Sequence, residues 1–243
     1  MLESRSALAM FLVVWAIYLT DRIIDVARCA NWQQATGRLR FGRRHRHWFR
    51  SCLVFCAVGF LTIVFLGLPV HVMLRGAGVA IGVLMYFLLF VVPIFLGRKL
   101  PGKEFGVGLF FALGAFTCLG GTVATMPMFV AVAVLVAYNC LVIAAKDADS
   151  DQVNDPGGAS RWWMRMNRDL IWVGIVLIAV EGLAAILCRE RAFYISVTTA
   201  FLGLTILHRN RRHFGSDDVR ALADYALLTP IPVQVGIVLF SGR

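Results

Sequence analysis

Phe105–Ala145 reads FGVGLFFALGAFTCLGGTVATMPMFVAVAVLVAYNCLVIAA, 41 residues without Asp, Glu, Lys or Arg. A helix needs about 20 apolar residues to cross the hydrocarbon core of a bilayer. The run is therefore too long for one crossing and long enough for two. Gly120, Gly121, Thr122 and Pro127 supply the turn chemistry that divides it, which predicts spans over 105–121 and 126–145. The same reading extends in both directions. Residues 52–70 and 76–97 are also free of Asp, Glu, Lys and Arg, and shorter or singly charged runs cover 6–20, 170–188, 192–207 and 221–240. Lipid tolerates no unsatisfied backbone, which leaves helices or closed barrels. None of these runs alternates in polarity as a barrel strand must. The expected fold class is all-α: a polytopic transmembrane bundle of about eight spans, forming one integral membrane domain over residues 1–243.

Composition agrees. Apolar residues make up 59% of the chain and charged residues 16%, against about 45–50% and about 25% in soluble domains, and the mean hydropathy is +0.76. The six cysteines lie mostly within spans, lack CxxC or Cys/His spacing, and read as small apolar packing residues. No small-residue cleavage site follows the first run, so it reads as a span and not as a signal peptide.

The net charge of +10 suggests nucleic acid only until its placement is considered. The loops after spans one, three, five and seven carry 19 of the 24 Lys and Arg, including the dense run Arg38–Arg50. Arg5, Arg75, Arg189, Arg191 and Arg243 fall on the other side. The positive-inside rule then predicts a multi-pass protein of the cytoplasmic membrane with both termini outside and no nucleic-acid partner. The basic run itself reads first as a topology signal and second as a site for anionic lipid headgroups.

Only 14 residues are acidic, so their clustering carries information. Span one ends in Tyr18-Leu-Thr-Asp21-Arg22-Ile-Ile-Asp25, and span five in Lys146-Asp147-Ala-Asp149-Ser-Asp151. Asp21 and Asp25 are four apart, as are Asp147 and Asp151, so helices continuing through them would place each pair on one face. Like charges at that spacing destabilise a helix. A divalent cation would offset the cost, and Mg²⁺ commonly bridges carboxylates to substrate phosphates. Both clusters are expected on the cytoplasmic face; solvated loop residues are the plainer alternative.

The two clusters resemble the aspartate motifs of UbiA-type prenyltransferases. Asp21-Arg22-Ile-Ile-Asp25 is similar to the second half of NDxxDRxxD, and Asp147-Ala-Asp149-Ser-Asp151 to the second motif, DxxxD with an acidic middle. The four-helix interval between the family's motifs is kept, and Pro93–Lys103 resembles the basic loop between them. Asp218–Pro230 is similar to a segment of an uncharacterised UbiA-like branch. Ile17 and Tyr18 stand where the family has Asn and its first Asp, and the family's first helix has no counterpart. The resemblance implies prenyl transfer from an isoprenyl diphosphate to a lipophilic acceptor. It implies that Asp21, Asp25, Asp147 and Asp151 are catalytic and bind Mg²⁺ together with Asp149. Arg22, Lys99 and Lys103 would hold the diphosphate.

Ionisable or polar groups inside spans are functional candidates by default. Tyr18, Asn139 and Asp224 are expected to line the cavity, with Asn139 also suited to interhelical bonding and Asp224 to pairing with a loop arginine. Glu181, nearer the outer side, and Tyr138 read as structural. The phosphotransferase motif that acts on CDP-alcohols fails here, because Phe41 and His45 occupy positions that need Asp. The remaining alternatives are a non-catalytic UbiA-like protein and a cation-binding transporter or scaffold.

Overall fold

The computed structural model describes residues 2–29, 32, 35, 37–68, 70–91, 102–119, 125–148, 159, 163 and 165–229. Every secondary-structure element among them is helical. They are α1 (Leu2–Arg28), α2 (Gly37–Arg44), α3 (Arg46–Phe65), α4 (Val70–Tyr86, running into a π-helical turn over Phe87–Val91), α5 (Lys103–Leu119), α6 (Met126–Lys146), α7 (Met166–Leu187), α8 (Arg191–Asn210, followed by a 3-10 turn over Arg211–His213) and α9 (Ser216–Leu228). Each of the eight apolar runs falls wholly or partly on one of these helices. The end of the eighth lies outside the described residues.

Local chemistry explains several boundaries. α3 stops where Gly67 takes a φ of +110°, and α5 starts after Gly102 at +89°, backbone angles that glycine adopts at least cost. Pro127 stands in the first turn of α6, where its missing N–H breaks no helical bond. α9 opens with Asp217 and Asp218, favourable against the positive end of the helix dipole. The Asp218 carboxylate accepts a bond from the Gly215 N–H at 3.1 Å.

α6 is the centre of the molecule. It packs against α5, α7, α8 and α9, while α1 packs on α3 and α5. The main core gathers Leu135, Tyr138 and Val142 of α6 with Leu170 of α7, Phe201 and Leu204 of α8, and Val219 and Ala223 of α9. A smaller cluster joins Leu12 and Leu19 of α1 to Cys56 of α3. Tyr138 locks three helices together: its hydroxyl donates to the Leu170 carbonyl at 3.0 Å and lies 3.1 Å from the Thr205 hydroxyl. Gly108 of α5 lies so close to the α6 backbone at Ala133 and Ala137 that any Cβ would collide with it.

Among the described residues, four helical stretches are long and apolar enough to cross a membrane: Arg46–Phe65, Val72–Leu89, Met126–Lys146 and Arg168–Leu187. They differ sharply in how much the protein itself covers. Within the molecule 56% of the α6 stretch is buried, against 6% for α3 and 17% for α7. Phe55, Val58 and Phe65 of α3 and Trp172, Ile186 and Leu187 of α7 point outward. Contiguous apolar surface on that scale is unfavourable in water and is what a lipid-facing helix presents.

Candidate functional site

α1 does not end at Thr20 but continues through both aspartates to Arg28. Asp21 and Asp25 are therefore one turn apart on one helix, with Arg22 between them. The Arg22 guanidinium donates to Asp21 at 2.7 Å and lies 3.2 Å from Asp25. It also sits 5.2 Å from the centre of the Tyr18 ring. Tyr18 is half exposed, whereas Arg22 is largely covered. One cation shared by two carboxylates offsets the repulsion that would otherwise weaken this turn.

The second cluster stands at the end of α6. Asp147 caps that helix, its N–H donating to the Ile143 carbonyl at 3.1 Å, and it is only 4% exposed. α9 supplies its partners. Ser216 donates to Oδ1, and Arg220 reaches Oδ2 through both Nε, at 2.8 Å, and Nη2. Lys146, beside it, donates to the Arg211 carbonyl at 3.2 Å. A buried carboxylate this fully paired has its desolvation cost offset by charge-assisted bonds.

Between the two clusters runs a polar seam across α6. Asn139 lies close to Asp224 of α9, which is also within reach of the charges of Arg220 and Arg22. Cys140 lies within reach of the charges of Glu104, Lys103, Asp224 and Asp21, and Tyr86 of α4 is similarly placed near Asp21, Lys103 and Glu104. Glu104, 2% exposed, opens α5 and accepts a bond from the Ala159 N–H at 2.9 Å. Thus the ends of α1, α5, α6 and α9 bring Asp21, Arg22, Lys103, Glu104, Asn139, Asp147, Arg220 and Asp224 to one end of the bundle. Buried atoms of the seam without a hydrogen-bond partner among the described residues include Arg22 Nε, Arg220 Nη1 and Asn139 Oδ1.

No family model, curated protein or solved structure matches this chain. The site must therefore be read from its own chemistry. Carboxylate oxygens are the donors a hard cation such as Mg²⁺ prefers. Among the described residues, though, no three His, Cys, Asp or Glu side chains gather closely enough to hold a metal. Asp149, Asp151 and Lys99 of the expected site lie outside the described residues.

Arg220, Ser216 and Glu104 were missed by sequence reasoning. Arg220 stands four residues before Asp224, so a helix through both presents them on one face, a signal that counting charges by loop conceals. Glu104 directly precedes the uncharged run and is legible only as an acid among basic neighbours. Ser216 has no sequence signal. Glu181, also buried, sits on α7 near Tyr194 and apart from the seam.

Proposed function

We propose that the chain is an eight-span membrane protein of UbiA-like architecture, with its basic loops and aspartate clusters on the cytoplasmic side. In this reading it transfers a prenyl group from an isoprenyl diphosphate to a lipophilic acceptor. The observation that carries the proposal is the pair of buried guanidiniums, Arg22 and Arg220. Each keeps a donor without a partner among the described residues, beside carboxylates drawn from two helices. Buried donors of this kind cost about 1–3 kcal/mol when unmet, and the oxygens of a diphosphate would meet them. Mg²⁺ held by Asp21, Asp25, Asp147, Asp149 and Asp151 would neutralise charge on the departing diphosphate. Arg22, Lys99 and Lys103 would orient that group, and the apolar bundle would keep water from the allylic cation. Asn139 and Asp224 would line the cavity wall.

The test is binding of geranylgeranyl diphosphate to the detergent-purified chain with and without Mg²⁺. Asp25→Ala and Asp147→Ala are each expected to lower the metal-dependent affinity at least about tenfold, the loss of roughly one strong contact. Unchanged affinity in both variants would remove the assignment. A second reading, a non-catalytic UbiA-like protein, is favoured by the ion pairs themselves, since Asp21, Asp25 and Asp147 all engage arginines. On that reading diphosphate does not bind, and Asp147→Ala changes stability alone.

A further inference from the structure

The basic segment between α1 and α3 has no part in the diphosphate reading. From Val26 to Lys103 the sequence contains no Asp or Glu, while residues 38–50 hold six arginines. α2 folds part of that segment into a helix. On it Arg40, Arg43 and Arg44, together with Trp32, line an open cleft of about 490 Å³. The Arg43 guanidinium lies over the Trp32 ring, 4.6 Å from its centre. Stacking fixes the plane of the guanidinium and leaves its edge donors to an acceptor, the arrangement that suits bidentate recognition of phosphate. Asp217 lies against Gly37, at the opposite end of α2 from Arg43 and Arg44.

Position identifies the source of that anion. α2 packs on α1 and α3, and the membrane-length run of α3 begins at Arg46, two residues beyond Arg44. With α3 crossing the bilayer, about 1.5 Å of rise per residue would place the cleft near the headgroups. Trp48, 72% exposed, projects from the same segment, and Trp is enriched at that interface. We propose that the cleft binds the phosphate of an anionic phospholipid headgroup in the leaflet that α3 enters. The proposal rests on the membrane reading and is independent of Asp21, Asp25 and Asp147.

Native mass spectrometry of the full chain in detergent tests it, with dioctanoyl phosphatidylglycerol, dioctanoyl phosphatidylcholine and inorganic phosphate as probes. The chain is expected to prefer the glycerol lipid over the choline lipid. R43Q/R44Q is expected to weaken binding of the anionic lipid about 30-fold, at roughly fivefold for each arginine near a headgroup. R209Q/R212Q, the same charge change at the end of α8, should leave binding unchanged. Should R43Q/R44Q fail to fold, W32A removes the stacking platform and is expected to lose the same preference. Undiminished binding in the folded variants, or equal loss in R209Q/R212Q, would overturn the site. Inorganic phosphate binding as tightly as the lipid would overturn the lipid as its ligand.

Discussion

Asp147 and Arg220 make the sharpest residue-level statement in the molecule. Their side chains are 2% and 13% exposed, so little solvent screens them. Removing one partner of such a pair strands the other charge, at about 3–5 kcal/mol, whereas replacing both with apolar side chains is often near neutral. Arg220→Gln is therefore expected to cost about 3–5 kcal/mol, and Asp147→Leu with Arg220→Met to recover most of that loss. Thermal unfolding in detergent, read by helical circular dichroism, measures both. A single variant as stable as the wild type would mean that water already solvates the pair. The partnership was only half legible beforehand. The spacing of Asp147, Asp149 and Asp151 pointed to Asp147, but its partner lies 73 residues downstream, and one sequence holds no local trace of such a meeting.

At the level of elements, packing between α5 and α6 turns on one missing side chain. Gly108 faces the α6 backbone, whereas Gly114 on the same helix has open space where a Cβ would stand. Gly108→Ala is expected to destabilise by about 1–3 kcal/mol through forced separation of the helices. Gly114→Ala should be neutral or stabilising by up to about 1 kcal/mol. Detergent unfolding of the two variants side by side is the check, and equal effects would count against the close approach. Hydropathy located the middles of these helices well and their ends poorly. α6 occupies the expected stretch to within a residue, because charge and turn chemistry bound it on both sides. α1, α3 and α9 run several residues beyond their apolar runs, through Asp21 to Arg28, Arg46 to Ser51 and Ser216 to Arg220. In α1 the Arg22 guanidinium bridges Asp21 and Asp25 within about one turn, and a scale that counts only apolarity reads such charged turns as loop. α2, polar along most of its length, gave no signal of that kind.

For the molecule as a whole, the uneven cover of its helices separates a central α6 from peripheral α3 and α7. The proposed topology, with the Lys- and Arg-rich loops inside, assigns a side to each end. Cys188, exposed at the end of α7, and Cys29, just beyond α1, should lie on opposite faces of the bilayer. In variants keeping only one of them, a membrane-impermeant maleimide is expected to label Cys188 in intact cells and Cys29 only after permeabilisation. The reverse pattern would invert the orientation, and labelling of both from outside would break the alternation of spans. The seam also sets a timetable for biosynthesis. Asp147 leaves the ribosome well before Ser216 and Arg220, which follow it by 69 and 73 residues. A nascent chain that has delivered α6 therefore carries the Asp147 carboxylate without its α9 partners until α9 is made. The site is sealed by the last described helix to emerge, so a chain stalled before Ser216 lacks both of the α9 side chains that engage Asp147.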